Sequence, residues 1–176
     1  RELLSYMIRD PNEKAPFHLL LRAITEARED AAFLALYRCI EQLFPIPAVG
    51  QLVNELGIAR PALEVAESLE RHLGWRRREE DAITHLFAGL NPKLVDSFAA
   101  LTNASVEGEP SKQVARRVYE LRNQCVHFRP IHATRSADLA ISWIELSDLM
   151  LQAVHQLYGR YAPEFEKNGS AAVAER

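Results

Sequence analysis

The sequence predicts an all-α fold. Apolar residues recur at helical spacing, most clearly at Phe33, Tyr37, Ile40 and Phe44, which lie on one face of a helix with about 3.6 residues per turn. No stretch shows the alternation of apolar and polar residues that marks a half-buried strand. Prolines and one polar loop interrupt the helical pattern, so the chain is divided into several helices.

The individual helices follow from apolar spacing and from residues that end helices. The first is predicted from Phe17 towards Phe44, stopped by Pro45 and Pro47, because proline lacks the amide proton that continues a helix. The stretch "TNASVEGEP" before residue 111 is the clearest loop in the chain. The remaining predicted helices are 50–57, 61–73, 81–90, 92–101, 111–128 and 137–161.

Length and composition are those of one globular domain. The chain has 176 residues, of which 48% are apolar and 26% charged, enough to bury a substantial core. We predict a single domain over 1–176, with about 1–16 and 163–176 peripheral or frayed. A first residue of Arg rather than Met is what a fragment of a longer protein would show.

Charge and hydropathy limit the function classes. The net charge is -3 and the pI about 6.1, so no overall positive field attracts nucleic acid or a membrane, and any polyanion site would have to be local. No apolar run reaches the roughly 20 residues that span a bilayer. Cys39 and Cys125 show no CxxC spacing, and their number fits reduced thiols or a disulfide equally. The lack of a visible signal peptide favours the cytoplasm.

The segment "YELRNQCVHFRP" within the predicted helix 111–128 gathers the polar residues of most interest. At about 100° per residue, Asn123 and His127 lie close to opposite the core-facing stripe, and Arg122 lies on the flank between them. His127 is therefore not expected to point into the core of its own domain. The apolar stripe that defines the core face consists of Val114, Val118, Leu121, Cys125 and Phe128.

The face that carries His127 also carries Tyr119, Val126 and Arg116. A solvated helix surface is one interpretation, since histidine and arginine are common there. The apolar Tyr119 and Val126 favour a surface that contacts something, such as a second copy of the chain.

An arginine and a histidine together can cleave RNA without a metal. His127 can exchange a proton near neutral pH, so it can deprotonate the 2′-hydroxyl or protonate the leaving 5′-oxygen. Arg122 can hold a phosphate oxygen and stabilise the phosphorane, while Asn123 can orient either partner. One histidine cannot conveniently do both tasks, but a two-fold dimer would supply the base and the acid from different subunits.

Residues 122–127, "RNQCVH", match the R-x4-6-H motif of the HEPN superfamily. The flanking "YELRNQCVHFRP" is similar to the corresponding helix of Apea-like HEPN proteins, and "FLALYRCIEQLF" resembles their early helix. In helix order the resemblance covers residues 17–160. It implies an HEPN-like helical bundle with short inserted helices, which dimerises across the 111–128 helix and forms a composite endoribonuclease site with no metal and no cofactor.

The resemblance also assigns roles. Arg122 would bind the phosphate, Asn123 would assist it and His127 would be the acid–base. Separately from the resemblance, we predict that Arg129, Arg116 and Tyr119 contact the RNA. Many members act as toxins, in antiphage defence or in RNA processing, and a sensor or regulatory domain is expected in the full-length protein. One subfamily has a tyrosine, modified by antitoxins, where this chain has Arg129, so that control is not expected here. The alternative is an inactive HEPN module that binds nucleotides or other proteins.

Two other kinds of site receive less support. The stretch "QLVNELGIARPALEVAESLERHLGW" resembles a helix-turn-helix, but three glutamates on its second helix would repel DNA, so we expect an insert packed on the bundle. His127 and His132 lack any HExxH or cysteine cluster, which argues against zinc. For Arg38 and Glu41 we expect an intramolecular ion pair or a surface role, with support of the site as the alternative. The default expectation for the scattered histidines is a surface role: His18, His72, His85 and His155.

Overall fold

The computed structural model describes residues 16–104, 107–126 and 141–166. Over these ranges the chain forms helices and no strand, which confirms the all-α prediction. The helices are α1 (Phe17–Thr25), α2 (Glu29–Glu41), α3 (Ile46–Leu56), α4 (Ala62–Leu73), α5 (Glu79–Phe87), α6 (Pro92–Thr102), α7 (Pro110–Val126) and α8 (Trp143–Glu166).

The main core lies between α2, α5, α6, α7 and α8. Helix α8 packs on α2 and α6, while α7 packs on α5, α6 and α2. Large aromatic side chains fill the space between the layers, and the rings of Phe87 and Phe98 lie 5.6 Å apart. The buried Tyr158 donates its hydroxyl to the carbonyl oxygen of Cys39 at 2.9 Å, which ties α8 to α2 across the core.

The single long helix predicted at the start of the chain is two helices in the structure, so that prediction is wrong. Arg28, just before α2, has extended backbone angles (φ -101°, ψ 126°) and pairs with Asp30 at 2.6 Å in the first turn of α2. Carboxylates are favoured there because the helix dipole places positive charge at its N-terminus. The break lets α1 fold back on α2 and bury Leu20 and Ala23, a gain that helical spacing alone does not reveal.

The prolines after α2 also act differently from the prediction. Helix α3 begins at Ile46, four residues before the predicted start, and Pro47 lies in its first turn. Proline is tolerated there because the first amide groups of a helix have no intrahelical partner. A turn at Gly57, whose φ is 62°, connects α3 to α4. These two helices pack on each other around a small apolar cluster and contact α8, as an insert would.

One stretch, Glu29–Leu56, has the length and mean hydropathy of a membrane span. In the structure it comprises α2 and α3 with a turn over 42–45 between them, and 61% of its most apolar window is buried. A buried core helix has the same composition, because it also removes apolar side chains from water.

In the second half of the chain, the structure shows how α6 begins and where α8 begins and ends. The side chain of Asn91 accepts a hydrogen bond from the backbone amide of Lys93 at 2.9 Å and so caps α6. Helix α8 begins only at Trp143, since residues 141 and 142 are not helical, whereas the prediction placed its start near residue 137. It continues to Glu166, so residues 163–166, which we expected to be peripheral or frayed, are helical.

Candidate functional site

Helix α7 presents its predicted core face to the bundle. Val114, Val118 and Leu121 are buried, as the apolar stripe predicted, and Ala115 is buried with them. Cys125 is only half-buried and packs against the edge of the core, while Phe128 lies outside the described residues. The core face inferred from the sequence is therefore confirmed at Val114, Val118 and Leu121, whereas Cys125 is less buried than expected.

Arg122 is the centre of a polar network that joins three helices. Its Nη2 lies 3.2 Å from Oε1 of Glu41 on α2 and 3.5 Å from Oε2 of Glu79 on α5. Its Nη1 donates a hydrogen bond to Oδ1 of Asn123 at 3.0 Å. The Arg122 side chain keeps only 18% of its surface exposed, so the guanidinium is held between the helices.

An aromatic ring completes this network. The guanidinium carbon of Arg122 lies 5.7 Å from the ring centroid of the buried Tyr37, close enough for a cation–π interaction. Burial raises the pKa of Tyr37, and the nearby carboxylates of Glu41 and Glu79 raise it further. Partial burial lowers the pKa of Arg122, but the attraction of Glu79 and Glu41 outweighs it and the net shift is upward. Arg122 is therefore fully charged and well anchored.

The contact between Arg122 and Glu41 shows which residue pairs with Glu41 on α2. For Glu41 either an intramolecular ion pair or a surface role was expected, with support of the site as the alternative. The structure pairs Glu41 with Arg122, a candidate site residue, while Arg38 is exposed. Arg122 was placed on the flank of an outward face, yet its tip turns towards α2 and α5. Helical spacing determines where the Cβ atom points, whereas the end of a long arginine side chain follows the nearest carboxylates.

The other predicted site residues are more dispersed. Arg116 is exposed and pairs with Glu120 on its own helix at 3.3 Å, outside the network of Arg122. Tyr119 packs partly against the core, so it is not part of a free outer face. Val126 is 49% exposed and remains available for a contact. His127 and Arg129 lie outside the described residues.

A cleft of about 420 Å³ opens beside Arg122, and we call it the Arg122 cleft. Glu41 and Glu79 lie in its wall, and Trp75, Arg76 and Arg77 between α4 and α5 line its other side. Among the described residues, three arginines and four glutamates line it, which gives them a formal charge of -1. Arg76 is itself held by Glu70, with Nε–Oε1 at 2.8 Å. The cleft is polar and mixed in charge rather than strongly cationic.

Sequence reasoning missed Glu79 and the segment 75–77 as parts of this site. The available signal was an exposed tryptophan followed directly by three arginines, since an aromatic ring beside basic residues is a common way to hold a nucleotide. The three arginines follow the second helix of the segment that resembles a helix-turn-helix, and no role was predicted for them.

The described residues contain no cluster that could hold a metal, and their two cysteines are free thiols. Within the described ranges no three His, Cys, Asp or Glu side chains lie together as a metal site requires. Cys39 and Cys125 are both free thiols, which decides between the two alternatives that their number allowed. Burial raises the pKa of Cys39 to about 12 and that of Cys125 to about 11, so neither is a reactive thiolate at neutral pH.

Comparison of the chain with protein-family models, with curated proteins and with solved structures gives no significant match. The resemblance to the HEPN superfamily therefore depends on the two segments that carry it, residues 33–44 and 119–130. In the structure these segments meet, because Tyr37 and Glu41 of the first contact Arg122 of the second.

Proposed function

We propose that this chain is an HEPN-like endoribonuclease domain that acts in the cytoplasm as a two-fold dimer and needs no metal. The observation that supports the proposal best is the contact of Tyr37 and Glu41 with Arg122. Arg122 and Glu41 are 81 positions apart in the sequence, and they belong to the two segments chosen for their resemblance to the family. For such an activity the resemblance implies a role as a toxin or in antiphage defence.

Arg122 would bind the scissile phosphate. Its carboxylate and amide partners fix the guanidinium in one orientation, and a preorganised cation stabilises developing charge better than a mobile one. The contact with Glu79 is the longer of the two ion pairs, and Glu79 is the more exposed carboxylate. A phosphate oxygen would therefore replace Glu79 at Nη2, while Glu41 and Asn123 keep the guanidinium in place.

His127 would supply the proton transfers. It follows Asn123 by four residues in the sequence, and its pKa range suits a group that takes and returns a proton near pH 7. The second histidine that the reaction needs would come from the other subunit of a dimer across α7. Val126, which is exposed near the end of α7, would lie in that interface.

An inactive module that binds a nucleotide or a protein is the second candidate function. It is favoured by the charge around Arg122, because two carboxylates compensate this arginine and the cleft as a whole is formally negative. Such a balance disfavours a long polyanion such as RNA at Arg122 and suits a structural role for this arginine.

RNA cleavage in excess EDTA tests the first function. We expect products ending in 2′,3′-cyclic phosphate, and no cleavage where the nucleotide at the cut site carries 2′-deoxyribose. His127→Ala should reduce the rate by about 10²–10⁴, the usual contribution of general acid–base catalysis. Arg122→Lys should be poorly active, because lysine lacks the planar fork that binds two oxygens. Arg71→Ala, an exposed arginine outside the Arg122 cleft, is the matched control.

The variant Glu79→Gln separates the two functions. If phosphate displaces Glu79, removing this charge should lower the KM for RNA and leave the fold intact. If Arg122 only stabilises the fold, Glu79→Gln should change stability without any gain in RNA affinity. Cleavage by His127→Ala at the parent rate would rule out the proposed mechanism. RNA or nucleotide binding that persists in folded Arg122→Ala, with no cleavage by the parent, would favour the inactive module.

A further inference from the structure

A second cleft, of about 460 Å³, lies between α5, the start of α7 and the end of α8. We call it the His85 cleft. Among the described residues, four basic side chains line it, together with the acidic residues Asp81 and Glu109. Three of these basic residues are permanently charged, so the formal charge is +1 with a neutral histidine and +2 with a protonated one. The four basic residues are Arg77, His85, Lys112 and Arg160.

No carboxylate among the described residues forms an ion pair with either arginine of the His85 cleft. The described ion pairs include neither Arg77 nor Arg160, whereas Lys112 pairs with Glu109 at 2.8 Å. Arg160 donates a hydrogen bond from Nη1 to the carbonyl oxygen of Gly89 at 2.8 Å, which positions its guanidinium without cancelling its charge. This differs from Arg122, which two carboxylates compensate.

Arg77 has donor capacity that the described residues do not use. Its Nη2 lies 3.3 Å from Nδ1 of His85, but its Nη1 is buried and has no hydrogen-bond partner among the described residues. A buried donor without a partner is costly, and native structures rarely keep one without a functional reason. Arg77 lines the His85 cleft, and a rotation of its guanidinium would offer this unused donor to a ligand there.

His85 lies among the positively charged side chains of this cleft. Partial burial lowers the pKa of His85, and the charges of Arg77 and Arg160 lower it further. Near neutral pH the ring is therefore neutral, with Nδ1 free to accept the hydrogen bond from Arg77 and Nε2–H free to donate to a ligand. An anion between the arginines would offset the repulsion that now disfavours the imidazolium.

We propose that the His85 cleft binds a phosphate group between Arg77 and Arg160, with His85 and Lys112 at its edge. Phosphate fits better than a carboxylate, because its tetrahedral oxygens can accept from several donors that converge from different helices. The group is either a terminal phosphate of a nucleotide or a phosphate of an RNA backbone. The site is separate from RNA cleavage at Arg122, with which it shares only Arg77.

The experiment follows the His85 ring signals by NMR over a pH titration of the whole chain. Inorganic phosphate, compared with chloride at equal ionic strength, should raise the His85 pKa by about half a unit or more. Histidines outside the cleft, such as His72, should not shift with it and serve as internal references. No phosphate-specific rise in the His85 pKa would overturn the proposal.

Variants show whether the binding depends on this geometry. Arg160→Gln should weaken phosphate binding about tenfold or more, since a charged hydrogen bond is lost. Arg71→Gln, which lies in neither cleft, should bind like the parent. Asp81→Asn removes a negative charge from the cleft and should tighten binding about two- to fivefold. Because Arg160 also holds Gly89, Lys112→Ala provides a second test that leaves this contact intact. Phosphate binding as tight as the parent's by Arg160→Gln, Asp81→Asn and Lys112→Ala alike would overturn the proposal.

Two further ligands identify the source of the phosphate. A nucleoside 5′-monophosphate that binds more tightly than inorganic phosphate would indicate a terminal phosphate. A short single-stranded RNA without terminal phosphates that binds more tightly, and competes with inorganic phosphate, would indicate the backbone. The failure of both to displace inorganic phosphate would overturn the assignment to nucleotides or RNA. None of these measurements requires cleavage, so their outcome is independent of the proposed nuclease activity.

Discussion

Replacing Arg122 by alanine should destabilise the fold by about 1–3 kcal/mol. The side chains of Arg122, Glu41 and Glu79 are 18%, 30% and 41% exposed. Exposed ion pairs contribute about 0–1 kcal/mol, whereas removing one partner of a fully buried pair costs about 3–5 kcal/mol. The loss of stability expected for Arg122→Ala lies between those limits, because the substitution leaves two partly buried carboxylates uncompensated and removes the contact with Tyr37.

Thermal and urea unfolding, followed by circular dichroism, measure this loss. For a chain of this size about 1 kcal/mol corresponds to roughly 2–4 °C, so the Tm should fall by about 2–12 °C. Arg122→Lys should lose less, since it keeps the charge. A double-mutant cycle with Glu41→Gln should return a coupling of about 0.5–2 kcal/mol, which isolates the contact from the loss of side-chain volume.

Arg71→Ala is the control, because this arginine is exposed and has no described ion pair. It should stay within about 0.5 kcal/mol of the parent. If Arg122→Ala were as stable as Arg71→Ala, the network would not anchor the three helices, and the tip of Arg122 would be as free as the sequence suggested. The measurement also matters for the cleavage assay, since activity must be compared per folded molecule.

Three further predictions concern assembly, thiol chemistry and a turn. The parent should scatter light as about twice the 19.9 kDa chain mass, and Val126→Glu should give a monomer with the fold intact by circular dichroism; a monomeric parent would remove the composite site. Cys125, with a pKa of about 11, should react with a thiol reagent at pH 8 about 100-fold more slowly than a free cysteine, and the rate should rise with pH; rapid labelling would contradict the described packing. Gly57→Ala should cost about 1–2 kcal/mol, because its φ is 62°. Gly159→Ala in α8, where an added methyl group meets nothing within 4 Å, should be neutral or stabilising, and the reverse order would contradict the assigned turn.

Local patterns explain why the helical class and the core face of α7 could be predicted. Val114, Val118 and Leu121 reveal that face, since the spacing of apolar residues within one helix depends on nothing outside it. The break between α1 and α2 has no such marker, because no glycine or proline lies between Thr25 and Glu29. It forms because α1 gains a packing surface by folding back on α2.

For the candidate sites too, the sequence determined some features and the tertiary structure decided others. The sequence by itself determined that Arg122 and Asn123 occupy one helix, and that Val126 lies off its core face. Only the tertiary structure decided that Arg122 meets Glu41 and Glu79, and that His85 lies beside Arg77 in a cleft that Arg160 also lines. Whether a charge is compensated depends on which helices come within a few ångströms of each other, and that distance is set by core packing between segments far apart in the chain.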